Sequence, residues 1–465
     1  MMRPWFRFAL VGLLVVAPSL ALAAPEARLN VPVKEVTFEV REPSEVVAAI
    51  TALCHRCDWG RRGREAAALR IDVDGRYSQH LYLARGEEKA PYRILLGPQT
   101  AGTHTLTITR DERRSAREAG EATIQEIQFA VFPASHAEHN AVALAPILYA
   151  RPNTLGKFSD MPVFMWYETD RTERGSRIRY SVIFSNEDGG TPADRLLATW
   201  GRLTDVEYVY GIEFDREGRV LEETFQGKDH EIVAFQGRRE GRHPLLYVVT
   251  DNNMVGAVGT TSERYAPAPV GFDLTNASRE KVMDENPWTY AVTAKEARRE
   301  GRVSHSPAPG SKRIFDPRRY AVVEICTESD DTTFATFTFA LGVGHDANRR
   351  FFDSTRGVKE YRISRSPDNF PNSCFRGAVA LPTGTKATDI TAIQVAAHTR
   401  PPRKGDAPPV KARGPAHLRR VNRVFVMNDA DEPGPNAFSW EGEVILALDG
   451  APATLEFKTS RTSAQ

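Results

Sequence analysis

The sequence predicts a mainly β protein, with two β-sandwich-like units flanking a central β-rich domain that carries short helices. Three observations lead there. Apolar residues recur at every second position in many short runs, as in Val36, Phe38 and Val40 against Glu35, Thr37 and Glu39. Turn signals such as Asp74-Gly75 separate those runs. Gly 33 and Pro 30 are high for a helical chain and suit many turns, while a hydrophobic share of 41% is enough to build cores.

Residues 1–23 read as a secretory signal. Arg3 and Arg7 give a positive start, Phe8 to Leu20 is almost wholly apolar, and Ala21-Leu22-Ala23 offers small residues for cleavage after Ala23. The apolar run is shorter than the roughly 20 residues a membrane span needs. A secreted or periplasmic protein, not membrane-spanning after cleavage, is expected. Lys+Arg 61 balances Asp+Glu 60, which argues against nucleic acid as a partner.

Residues 29–133 read as the N-terminal sandwich. Its strands are the run to Val40, Leu69–Val73, Gln79–Ala84, Tyr92–Leu96, His104–Ile108 and Ile124–Phe132, with Arg110–Gly120 as a charged loop. In the central domain, 134–300, Thr191 and Pro192 open a helix that Gly201 ends. The clearest strand comes next: Val206, Tyr208, Tyr210, Ile212 and Phe214 on one face, Asp205, Glu207 and Glu213 on the other. Glu231–Phe235 and Leu245–Thr250 read as strands and Thr293–Arg299 as a short helix. The basic, Pro-rich stretch 301–319 reads as a linker. The C-terminal sandwich, 320–460, has candidate strands at Tyr320–Cys326, Thr333–Leu341, Val379–Leu381, Ile390–Ala396, Val421–Met427 and Val444–Leu448. Arg400–Arg413, rich in proline, reads as an exposed loop.

Four cysteines follow the signal. An even count in an exported chain suggests two disulfides, and proximity favours Cys54–Cys57 and Cys326–Cys374. The second closes a long loop worth about 4 kcal/mol in the chain-entropy model. Cys54-His55-Arg56-Cys57 lacks the histidine of a haem-attachment motif, because Asp58 stands there. It also lacks a second pair for zinc and a βαβ setting for thiol redox chemistry, so a structural bridge is preferred.

Three segments of the central domain resemble a vacuolar-protein-sorting-associated family, the sixty-second of its naming series. They are Ala145-Pro146-Ile147-Leu148-Tyr149, Thr204-Asp205-Val206-Glu207-Tyr208-Val209 and His243-Pro244-Leu245-Leu246-Tyr247-Val248. Val206 stands where the family has tryptophan, and Asp251-Asn252-Asn253 where it tends to have a Ser-His pair. The resemblance implies a β-rich fold and no defined activity.

Asp205 and Glu207 are the best-placed candidates for chemistry. Alternate strand residues share a face about 6.6 Å apart, a separation that suits a general acid and base or a shared cation. With His230 and His243 they could form a catalytic cleft edged by Asp251 and Asn253. The plainer expectation is that both carboxylates coat the solvent face of an amphipathic strand. Trp166 is a candidate for stacking on a sugar ring, and Trp200 for core packing. Asn186-Glu187-Asp188-Gly189, Ser329-Asp330-Asp331 and Asn428-Asp429-Ala430-Asp431-Glu432 are acidic loops that could take calcium but read first as ordinary turns. The leading expectation is an exported binding or structural protein for carbohydrate or a cell-envelope component. The competing one is a carbohydrate-active hydrolase or lyase using the carboxylate/histidine cleft.

Overall fold

The computed structural model describes residues 32–329, 335–364, 374–400 and 415–457. The signal, Asp330-Asp331 and the proline-rich loop from 401 onward lie outside the described residues. The chain is β-rich throughout, with several antiparallel sheets and few short helices.

Seven strands build the first unit: β1 (Pro32–Val40), β2 (Ser44–Cys54), β3 (Ala68–Val73), β4 (Arg76–Tyr82), β5 (Ala90–Gln99), β6 (Gly102–Arg110) and β7 (Ala122–Pro133). They form one sheet in the order β1-β6-β3-β4 and another in the order β5-β2-β7. The β3 alternation is directly visible: Leu69, Ile71 and Val73 are buried while Arg70 and Asp72 are half-buried and paired to each other. The 110–120 loop is less solvated than its charge suggests, since Ala116 and Ala119 reach the core and Arg110 donates to the Gly120 carbonyl.

The middle region contains α1 (His139–Ala143), β8 (Ile147–Tyr149), β9 (Pro162–Arg171), β10 (Gly175–Phe184), α2 (Ala193–Trp200), β11 (Asp205–Asp215), β12 (Val220–Gln226) and β13 (Ile232–Ala234). Next come β14 (Arg239–Glu240), β15 (His243–Val248), β16 (Val255–Gly256), β17 (Arg264–Tyr265), β18 (Val270–Gly271), α3 (Lys281–Glu285) and α4 (Trp288–Arg299). One sheet runs β13-β12-β11-β10-β9-β18, and a second runs β14-β15-β8-β17 with β16 on β15. Of the segments that resemble the sorting-associated family, two are therefore parallel neighbours, with Ile147 opposite Leu245, and the third lies in the other sheet.

Helix α2 starts one residue later than the sequence suggests, with Pro192 in the capping position. It stops where expected, because Gly201 takes φ 66°, the left-handed conformation glycine adopts without cost. A Cβ there would also sit 3.0 Å from Val322 and 3.1 Å from Arg376. Gly201→Ala should therefore lower stability by about 1–2 kcal/mol, read as a shift in the urea midpoint with unchanged m-value.

The last unit comprises β19 (Tyr320–Ser329), β20 (Ala335–Val343), β21 (Arg350–Asp353), β22 (Ile363–Ser364), β23 (Cys374–Ala380), β24 (Ile390–Thr399), β25 (Ala416–Val426), β26 (Trp440–Leu446) and β27 (Ala453–Glu456). Its sheets run β23-β19-β25-β26 and β21-β20-β24-β27, and their facing sides share one core. Both expected disulfides are present, with Cys326 directly opposite Cys374 on neighbouring strands.

The 301–319 stretch is not a free tether. Ile314 is fully buried, Val303 and Ile314 form a bridge, and Asp316 pairs with Arg298 of α4. Proline-rich composition suggests exposure, but the buried Ile314, Pro307 and Pro317 and the paired Arg302 and Asp316 dock the segment. The core of the first unit continues without a gap into the middle region, from Phe38 to Val292.

Candidate functional site

The expected solvent face for Asp205 and Glu207 is incorrect, and the backbone gives the reason. Tyr180 pairs with Tyr210 and Ser181 with Tyr208, so Val209 is the extra residue of a β-bulge. One unpaired residue inverts the alternation beyond it. Asp205 and Glu207 thus share the face of Tyr210, Ile212 and Phe214, which turns toward β15 and β16. Asp205 is only 3% exposed.

There the two carboxyls lie close enough to act on each other. The tight turn between β15 and β16 puts Asn253 in the left-handed conformation, φ 57°, which asparagine tolerates. Its amide donates to Asp205 Oδ2 at 2.9 Å and to the Asn186 carbonyl. Gln226, at the end of β12, donates to Glu207 Oε2 at 3.0 Å and lies 2.8 Å from Nδ1 of the exposed His230. Four sequence candidates therefore lie in one line: Asn253 bonds Asp205, Glu207 stands beside Asp205, and Gln226 links Glu207 to His230.

Burial, and after it the Asp205 carboxylate, push the Glu207 carboxyl well above the usual range; burial raises Asp205 as well. Burial and Asp205 push Glu187 up to about 8. A carboxyl raised by burial and a neighbouring carboxylate holds its proton to higher pH than a free one, the direction a general acid requires.

The other candidates fall elsewhere. His243 is completely buried, with Nδ1 2.9 Å from the Ala145 carbonyl and Nε2 3.0 Å from Glu45 of β2. It ties the first unit to the middle sheet and does not join the carboxyl line. Trp166 is fully enclosed in the core beside α2, so its rings are not available for stacking on a ligand. Asp251 is exposed and pairs with Arg151, whose guanidinium also holds Asp160 and Asp188. The carboxylates of the 186–189 loop are thus matched: Asp188 by Arg151, Arg302 and the Ser159 hydroxyl, Glu187 by the Thr191 backbone N–H. In the 428–432 loop Asp431 is held by Arg298. Among the described residues, no group of three or more His, Cys, Asp or Glu side chains is placed to hold a metal ion.

A feature that sequence reasoning missed is an aromatic cavity of about 330 Å³ between the first unit and the middle region. Trp59, Tyr82 and Tyr92 line it from one side, Phe164, Tyr265 and Trp288 from the other. Its inner polar atoms are already satisfied. Tyr82 and Tyr265 both donate to Glu263 Oε1, at 2.7 and 2.6 Å, and Trp59 donates to Glu296 at 2.8 Å. Arg85 lies 5.3 Å from the Trp288 ring centroid, fixing the indole by a cation–π contact. Exposed Arg93 and Glu285 stand on its rim. An apolar, aromatic interior with charges at the rim is the usual construction of a small-molecule site. No local signal marks it, because its walls come from residues more than two hundred positions apart.

Two more open clefts exist. One of about 630 Å³ contains Glu65, Lys157 and Arg299, and one of about 700 Å³ contains Phe315, Arg319 and Phe351. None of these three spaces is lined by Asp205, Glu207 or His230.

No family model matches the chain, and no curated protein matches it. A solved structure to which it is similar is the C-terminal domain of EclA, described as a sugar-binding protein, at 18% identity and a TM-score of 0.17. That likeness covers 21% of this chain and 66% of the EclA domain chain, just under two-thirds of its length.

Proposed function

We propose that this chain is an exported binding protein whose site is the aromatic cavity between its first unit and middle region, and that its ligand is a carbohydrate. The carrying observation is the wall itself: six aromatic rings around about 330 Å³, with Arg85 holding Trp288. A sugar ring has an apolar C–H face that stacks on aromatic rings, and hydroxyl edges that suit the Arg93 and Glu285 rim. Two disulfides suit an oxidising compartment. Among the described residues, no helix is long and apolar enough to cross a membrane. Binding is preferred to hydrolysis because neither the cavity nor the two clefts open onto the carboxyl line.

The test is a glycan array followed by calorimetry on the purified chain. Trp288→Ala, which removes a half-buried ring, should weaken binding by at least about tenfold while the far-UV spectrum stays unchanged. Equal affinity in that variant, or no glycan bound by the parent chain, would overturn the reading.

A further inference from the structure

The polar cleft of about 630 Å³ lies across the same two parts of the chain as the aromatic cavity, behind a partition in which Trp59 and Phe158 meet edge to face at 6.1 Å. It contains one unusual side chain. Glu65 is 7% exposed, and among the described residues its carboxyl has neither a hydrogen bond nor an ion pair. Its oxygens are not among the fully enclosed unpartnered atoms, and the residue lines the cleft. Burying a carboxylate without a partner is costly, and buried polar groups nearly always have one.

The remaining charges of the cleft sort cleanly. Asp188 and Glu300 both pair with Arg302, at 3.5 and 2.7 Å. Arg299 spends its guanidinium on the carbonyls of Trp59 and Phe158, at 2.8 and 2.5 Å. Arg117 pairs with Glu118. Among the described residues, Glu65 stays unmatched together with two cations, Arg62 and Lys157, that line the same space.

We infer that this cleft is a second binding site, for a small zwitterion such as an α-amino acid or dipeptide. The ligand's ammonium group pairs with Glu65, and its carboxylate with Arg62 and Lys157. Glu65 is the buried group that lacks a partner, and the exposed Arg62 and Lys157 offer donors to an anion beside it, so a ligand carrying both charges matches the cleft. Glu65 sits in the segment between the Cys54–Cys57 bridge and β3, while Lys157 belongs to the loop before β9. The ligand therefore spans the first unit and the middle region.

The test is calorimetry on the purified chain with L-alanine as the probe, and methylammonium and acetate as single-charge controls. Alanine should bind, and each control at least about tenfold more weakly. Glu65→Gln should weaken alanine binding by at least about tenfold, as should the surface pair Arg62→Ala with Lys157→Ala. The surface pair carries the test if Glu65→Gln does not fold. Trp288→Ala should leave alanine binding unchanged, which separates this site from the aromatic cavity. No alanine binding at millimolar concentration, full affinity in Glu65→Gln or in the surface pair, or methylammonium binding as tightly as alanine would each overturn the inference.

Discussion

Replacing Arg376 by alanine should cost the fold about 3–5 kcal/mol, the range expected when one partner of a buried ion pair is removed. Arg376 is 2% exposed and lies on β23, where its guanidinium reaches Glu324 on the neighbouring strand β19 at 2.5 Å. The same group bonds Asp284 of α3 at 2.5 and 2.9 Å and the Tyr290 hydroxyl of α4 at 2.9 Å. The arginine thus fastens the C-terminal sandwich to the two helices of the middle region. Its removal strands Glu324, which is 3% exposed and, among the described residues, has lost its only cation, while Asp284 keeps Arg423 at 2.9 Å. Urea denaturation followed by circular dichroism measures the loss. A change below about 1 kcal/mol would mean that the Ser278 and Asn422 hydrogen bonds suffice for Glu324.

Stability should fall as pH rises from about 5 to about 8, and Glu296→Gln should remove part of that fall. Glu296 is fully buried; burial pushes its carboxyl up to about 7, against the opposing pull of Arg299. Glu187 is pushed to about 8, and Asp160, Asp205 and Glu207 are raised too, burial being the first cause in each. A carboxyl raised on folding holds its proton in the folded chain at pH values where the unfolded chain has released it. The stabilisation is complete below the ordinary carboxyl range and is lost as pH climbs through the raised values. Asp284, Glu280 and Asp316 are lowered and act in the opposite sense, contributing above the ordinary range and failing under stronger acid. The optimum should therefore be mildly acidic. In Glu296→Gln a neutral amide oxygen still accepts the Trp59 N–H, and no charge is buried at high pH. Calorimetry should find this variant more stable than the parent at about pH 8 and equal to it at about pH 5; the reverse order would refute the assignment.

Much of this architecture is legible from local pattern. Leu69 to Val73 alternates and folds as it reads, Gly201 stops its helix, and the close cysteines pair. The candidate site is legible in part. Asp205 and Glu207 meet Asn253 and, through Gln226, His230, but Asn253 comes from the turn between β15 and β16 in the other sheet, a contact that spacing along the chain does not disclose. What local pattern cannot reveal is a change of face. Val209 leaves the written alternation of β11 intact while the pairing slips by one, and carboxylates that read as solvent-facing become interior. Nor can it reveal Trp288 opposite Tyr92, a meeting that depends on how the units close. Composition also misleads at 301–319, where Ile314 and two of the prolines, Pro307 and Pro317, are buried.

The shared interior running from Phe38 to Val292, pinned by the His243–Glu45 contact, has a bearing on how this molecule can be dissected. Three pairs of sheets do not make three separable modules here. A scissor placed between the opening sandwich and the middle region would leave raw apolar surface on both fragments and would open the aromatic chamber to water, so dissection of its activities has to proceed by point substitution, not by truncation.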